Sequence, residues 1–145
     1  MDAAEIRQLA ASAYNEAFEA IEAADTTTEA IWALELAATS LNLWRRVGTE
    51  QNLAIGFWLY SRALVKAGAS GAAIQAAKSS LKHTENIEDP ADWLVASCLE
   101  GLARALVAAG HADAEKALIA AKDAIAAIAT PEDRELIAGQ LADLL

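Results

Sequence analysis

Trp58, Arg62 and Lys66 stand at i, i+4 and i+8 in the run FWLYSRALVK, so on a helix they share one face carrying an aromatic ring and two cations. Such a face suits a carboxylate, with Arg offering a two-pronged charge-assisted bond and Trp a rigid apolar contact. Residue types that do catalysis are much scarcer. His83 and His111 are the only histidines, and Ser80 and Ala108 occupy the positions three before them where a Glu-x-x-His metal motif needs glutamate. H-E-x-x-H, G-x-x-x-x-G-K and G-x-S-x-G are all absent. Cys98 is the single cysteine and falls between apolar positions, where an inert thiol is expected. The carboxylates of EDPADW and TPEDRE sit at helix starts and read as partners of the helix dipole, while Arg45 and Arg46 complement the dipole at a helix end. No catalytic residue, metal or cofactor is therefore expected, and the chain reads as a non-enzyme.

Composition sets the elements that must position these side chains. Of 145 residues, 55% are hydrophobic but only 6% aromatic, and about a quarter are Ala, a balance that favours helices packed closely through small side chains. The start MDAAEIRQLA has neither a basic region nor an apolar one, and no apolar run approaches the roughly 18 uncharged residues of a membrane span. The expectation is a cytoplasmic protein without a membrane contact. A net charge of −10 argues against nucleic acid, which is held by Lys and Arg. The charge is uneven: residues 1–43 carry one base and eight acids, residues 44–82 six bases and only Glu50, and residues 83–145 four bases and twelve acids. A basic middle between acidic ends reads either as solvated faces that complement one another or as a landing site for an acidic group.

Stop and start signals divide the chain into seven helices, at 2–24, 27–46, 50–67, 71–86, 90–109, 114–128 and 131–144. Thr26 with Glu29 forms a capping box, and Thr130-Pro131 and Asp89-Pro90 each place an N-cap before a first-turn proline. Gly48, Gly68 and Gly110 are expected in left-handed caps, each followed by a new capping residue, Thr49, Ser70 or Asp113. The links are short, so neighbouring helices run antiparallel.

RALVKAG at 62–68 returns as RALVAAG at 104–110, shifted by 42 residues. Aligned around it, the hairpins place Tyr14, Phe57 and Leu99 in one apolar column and Ala30, Ala73 and Ala117 at one small position. Three hairpins, 2–46, 50–86 and 90–128, and a closing helix 131–144 thus form one domain spanning 1–145. A single hairpin cannot bury its apolar stripe, but a row of them can.

This pattern resembles the tetratricopeptide repeat. The order of an aromatic, a large-small pair, an apolar residue, a turn glycine and early alanines appears as Phe57, Tyr60-Ser61, Leu64, Gly68, Ala73, Ala77 and Ser80. It continues as Leu99, Leu102-Ala103, Leu106 and Gly110, then departs by inserting residues before Ala117; the period also exceeds the family's usual 34. The resemblance implies an all-α fold, a right-handed superhelical array of antiparallel helix hairpins, working as a protein or peptide interaction scaffold. It further implies a concave face lined by the first helix of each hairpin, in the columns Asn15, Trp58, Glu100 and Glu19, Arg62, Arg104, with Lys66 in a third. Glu100 precedes Arg104 by four, a favoured local ion pair, whereas Arg62 has no acid four residues away. Trp58 also reads as core, as Trp32 and Trp93 do. The expected partner is a protein or peptide segment with an acidic or carboxylate group. The alternative is a self-assembling structural protein, a homodimer through the final helix, whose Leu136, Ile137, Leu141, Leu144 and Leu145 exceed what one face can bury.

Overall fold

The computed structural model describes residues 1–145 and contains helices but no strand. Seven α-helices follow one another: α1 (Ala3–Ala23), α2 (Thr27–Val47), α3 (Glu50–Lys66), α4 (Ser70–Glu85), α5 (Asp92–Ala108), α6 (Ala114–Ala126) and α7 (Pro131–Leu141), the last running into a short 3₁₀ turn, η1 (Ala142–Leu144). None is long and apolar enough to cross a membrane.

The repeated phrase is explained by the ends of α3 and α5. At α3, the Gly68 N–H donates to the Val65 carbonyl and the Ala69 N–H to Leu64; at α5, Gly110 donates to Val107 and His111 to Leu106. Both are Schellman caps, which need a left-handed residue, and Gly68 and Gly110 have φ of 81° and 60°. Nothing lies within 4 Å of a methyl group built on Gly68, so Gly68→Ala tests the backbone alone. It should cost about 1–2 kcal/mol, read as a lower urea midpoint with an unchanged slope.

Other caps differ from the sequence expectation. Thr49 caps α3 in a full box with Asn52, and Asp2 caps α1 with Glu5. Thr26 accepts from the Glu29 N–H, but Glu29 answers to the Thr26 hydroxyl rather than to its backbone. Gly48 is extended, not left-handed; a side chain there would meet the Trp44 carbonyl oxygen at 2.7 Å. Ser70 is already helical, and Asp113 and Thr130 make no side-chain cap bond. Asp89 takes up a positive φ of 53° and α5 begins two residues later than Pro90, behind Ala91. The Asp92 carboxylate instead accepts from the Ala129 N–H at 2.9 Å, tying the start of α5 to the α6–α7 turn.

Each hairpin closes through alanines: Ala10, Ala17, Ala33, Ala54, Ala63, Ala73, Ala77, Ala96 and Ala103 are all wholly buried. Side chains this small bring helix backbones close enough for buried serines to reach across. The Ser40 hydroxyl donates to the Ala10 carbonyl between α1 and α2, and Ser61 donates to Ala73 between α3 and α4. Larger residues fill the seams between hairpins, where Leu41, Phe57, Leu64, Ile74 and Leu106 form one cluster and Ile125, Ile128, Ile137 and Leu141 another. Besides the hairpin pairs, α1 touches α3, α3 touches α5 and α5 touches α7. The odd-numbered helices therefore make a continuous layer, and its open face holds the site described next.

Trp32 overturns its expected place in the core: it is 55% exposed, on the outer side of α2 where no further hairpin covers it. Ile31, aligned with the buried Ile74, is exposed for the same reason.

Candidate functional site

At the centre of the odd-helix layer lies Glu100, a fully buried carboxylate on α5. Its Oε2 accepts from Trp58 Nε1 at 2.9 Å, and its Oε1 accepts from Arg62 Nη1 at 3.1 Å and from Arg104 Nε at 2.9 Å. Burying an isolated carboxylate is prohibitively costly, and here the two guanidiniums and the indole offset that cost. Arg62 bridges to Glu22 on α1 at 3.4 Å and lies over the Trp58 ring, 5.3 Å from its centroid. Arg104 donates two bonds to Asp143, at 2.7 and 2.8 Å, and one to the Gln140 carbonyl at 2.7 Å. Five charges from four elements thus alternate along one line: Glu22, Arg62, Glu100, Arg104, Asp143.

Burial alone would depress the Arg104 guanidinium, but its bonds to Asp143 and the neighbouring charge of Glu100 prevail and hold it above its usual value. The same contact holds the Asp143 carboxyl below the usual carboxylate range. No buried side-chain nitrogen or oxygen is left without a partner.

The helix-face columns expected from the repeat fare unevenly. Trp58, Glu100 and Arg104 do come together, but as buried residues facing one another rather than a partner. The Trp58–Glu100 bond joins residues 42 apart, the repeat interval itself. Arg104 is occupied by Glu100, as their spacing implied, and Arg62 is not free: its acids come from neighbouring helices. Lys66 is exposed and lines a recess of about 140 Å³ beside Glu22, Arg62 and Asp143. Asn15 and Glu19 are exposed on α1, with Glu19 turned to the outer groove beside Trp32. In their places stand Phe18, stacked on Trp58 with centroids 6.4 Å apart, and Glu22, paired with Arg62. The first hairpin is therefore displaced by three residues from the expected register, nearly one turn.

Beyond this cluster opens a cleft of about 650 Å³ between α1, α3 and α7, with Phe18, Glu22, Trp58, Arg62, Leu136 and Asp143 among its walls. An apolar pocket of about 150 Å³ adjoins it, sharing Trp58 and Leu136 and reaching Tyr14, Trp93 and Cys98. Burial pushes the Tyr14 hydroxyl up to about 12 and the Cys98 thiol up to about 11, so neither is poised to act as a base or nucleophile near neutrality. Phe18, Glu22 and Asp143 were not read as site residues from the sequence, and Leu136 was read only as part of a dimer face on the final helix. The signal for Asp143 was its distance of 39 residues from Arg104, close to the repeat interval continued past α7 into η1.

The two histidines play local parts. His83 bonds through Nδ1 to Glu50 and stacks on Phe57, joining α4 to α3, and its bond is the main reason Glu50 titrates below its usual range. His111 is exposed in the α5–α6 turn and accepts from the Asp113 N–H.

Gly101 follows Glu100 because Trp58 lies against the α5 backbone: a methyl group there would meet Trp58 Cδ1 at 2.8 Å. The ring is held by its bond and its stack, so it cannot swing aside freely. Gly101→Ala should therefore be destabilising by about 1 kcal/mol net, an overpacking cost of ~1–3 kcal/mol exceeding the ~1 kcal/mol helix-propensity gain. The check is chemical unfolding together with near-ultraviolet dichroism, which should change around the tryptophans. No protein-family model matches the chain, and no curated protein or solved structure matches it either.

Proposed function

We propose that this protein is a non-catalytic interaction module, a tetratricopeptide-like array of three hairpins and a closing helix that takes a partner segment into the cleft between α1, α3 and α7. The observation that carries this reading is the placement of exposed apolar side chains on that cleft: Leu136 is 64% exposed and Phe18 37%, both lining the same concavity beside Trp58. Exposed apolar groups converging on a concave, polar-rimmed surface mark contact sites. The buried charge cluster beneath them gives the cleft a rigid floor, which lowers the ordering cost of binding. Selection of displayed random peptides against the wild type, with counter-selection on Leu136→Asp, tests it. Leu136 is solvated, so the substitution should leave the fold intact, and clones dependent on Leu136 should emerge. Enrichment of clones that ignore the substitution would remove the cleft from consideration.

Trp32 favours a second reading, self-assembly. It stands exposed over a groove it shares with Ala20, Ala23 and Leu36, on the outer side of the first hairpin. A dimer built there would sediment as such at micromolar concentrations and dissociate on Trp32→Glu. On α7 Ile137 and Leu141 are buried inward, which leaves Leu136 and Leu145 as the apolar surplus for a homodimer through the final helix.

A further inference from the structure

We infer that the partner segment is basic and amphipathic, a stretch carrying one bulky apolar side chain flanked by Lys or Arg; this rests on the cleft being the binding face. The large cleft has three acids in its walls, Glu22, Glu135 and Asp143, and one cation, Arg62. Glu22 and Asp143 are more than half exposed, whereas the Arg62 side chain is 13% exposed and already engaged by Glu100, Glu22 and the Trp58 ring. An incoming carboxylate would have to displace an intramolecular acid from a guanidinium that is almost wholly covered. An incoming ammonium or guanidinium meets solvated carboxylates with lone pairs to spare. The apolar component is a separate observation: Phe18, Trp58 and Leu136 line the same cleft, and the adjoining pocket of about 150 Å³, with eight hydrophobic residues among ten in its walls, deepens it. An apolar anchor seated there, with cations reaching the acidic rim, is the arrangement by which amphipathic segments occupy grooves.

A second copy of the chain suits the cleft less well. Of its exposed large apolar side chains, Leu9, Ile31 and Trp32 lie within residues 1–43, which carry eight acids and one base and would bring acid against acid, while Ile119, between Lys116 and Lys122, also stands four residues from Glu115 and from Asp123, a face without net positive charge. Lys66 is the exposed cation in the adjoining recess of about 140 Å³, and it is where an acidic segment would have to bind instead.

The peptides enriched from the random display library against wild type and lost on Leu136→Asp are the probe, and their composition is the first readout. Enrichment of Lys and Arg around a Leu, Phe or Trp is expected. Synthetic copies should bind Glu135→Lys at least tenfold more weakly than wild type and should lose affinity steeply as salt rises. Leu136-dependent peptides rich in Asp and Glu, weakened by Lys66→Glu and indifferent to Glu135→Lys, would overturn the basic-partner inference while leaving the cleft as the binding face. Failure to enrich any Leu136-dependent peptide would overturn both. Concentration-dependent dimerisation abolished by Leu136→Asp would overturn the inference in favour of a second copy as the occupant.

Discussion

Glu100→Ala should lower the thermal midpoint by roughly 10 °C, the largest effect of any single substitution in the odd-helix layer. Removing Glu100 deletes the acceptor for three donors at once: Trp58 Nε1, Arg62 Nη1 and Arg104 Nε. It also leaves two mostly buried guanidiniums facing each other with only the peripheral Glu22 and Asp143 to balance them. Breaking a buried ion pair on one side costs about 3–5 kcal/mol, because the uncompensated charge remains, and each kcal/mol is worth ~2–4 °C in a chain of this size. Glu100→Gln keeps an acceptor oxygen and the side-chain volume but not the charge, so it should lose about half as much. Replacing the charged set together, as Arg62→Met/Glu100→Met/Arg104→Met, should recover only part of the loss: apolar groups of similar volume satisfy themselves by packing, but the Asp143 clamp is gone and Trp58 Nε1 has no acceptor. Thermal and urea unfolding followed by circular dichroism decide the matter. A loss below about 1 kcal/mol for Glu100→Ala would mean that water reaches the cluster and that it is no rigid floor.

The parts of this architecture that the sequence made legible are those governed by a few adjacent residues. Helix ends belong to that class. Thr49, Gly68, Gly110 and Pro131 act through backbone groups within one turn, so their chemistry is readable in place. The boundaries consequently agree with the observed helices to within about two residues for most ends. Asp89 departs most: it takes a positive φ, α5 starts behind Ala91 without a side-chain cap, and the nearby Asp92 carboxylate serves the Ala129 N–H, 37 residues away. What the sequence did not make legible is the lateral register between hairpins. Asn15 was aligned with Trp58 on chain distance alone, but the contact is decided by which side chain can stack on the indole, and Phe18 does. That choice carries Glu22, not Glu19, to Arg62. Partners of Arg62 were invisible for the same reason: scanning four residues either way finds no acid, while the folded layer supplies one from α1 and one from α5. Trp32 shows the converse error, since composition cannot tell a seam from an end face.

Arg104→Met should loosen α7 and η1 while leaving the first two hairpins as stable as before. α7 is only 11 residues long and Thr130 makes no capping bond, so it has little stability of its own. It is held by Ile137 and Leu141 beneath and by Arg104, which takes the Asp143 carboxylate with two nitrogens and the Gln140 carbonyl with one of them. Methionine keeps most of the buried volume; Glu100 retains Arg62 and Trp58, and Asp143 simply returns to water. The loss is then the docking of the last helix, about 2–3 kcal/mol on the scale of charge-assisted bonds. Amide exchange should report it as a selective rise in α7 with little change in α1 and α2. Acid should imitate the substitution. Asp143 titrates lower in the folded chain than in the unfolded one, so its contribution is complete above the unfolded carboxylate value of about 4 and disappears as pH falls through the lower, folded one. Between pH 7 and about 5 the exchange of α7 should therefore show no change in protection, and below about 4 it should rise in wild type but not in Arg104→Met. If α7 stays protected in the variant, Ile137 and Leu141 suffice to hold it. Because α7 forms one wall of the cleft, the same variant should also weaken any Leu136-dependent ligand, which makes the Arg104–Asp143 clamp the link between the buried charges and the surface proposed to bind.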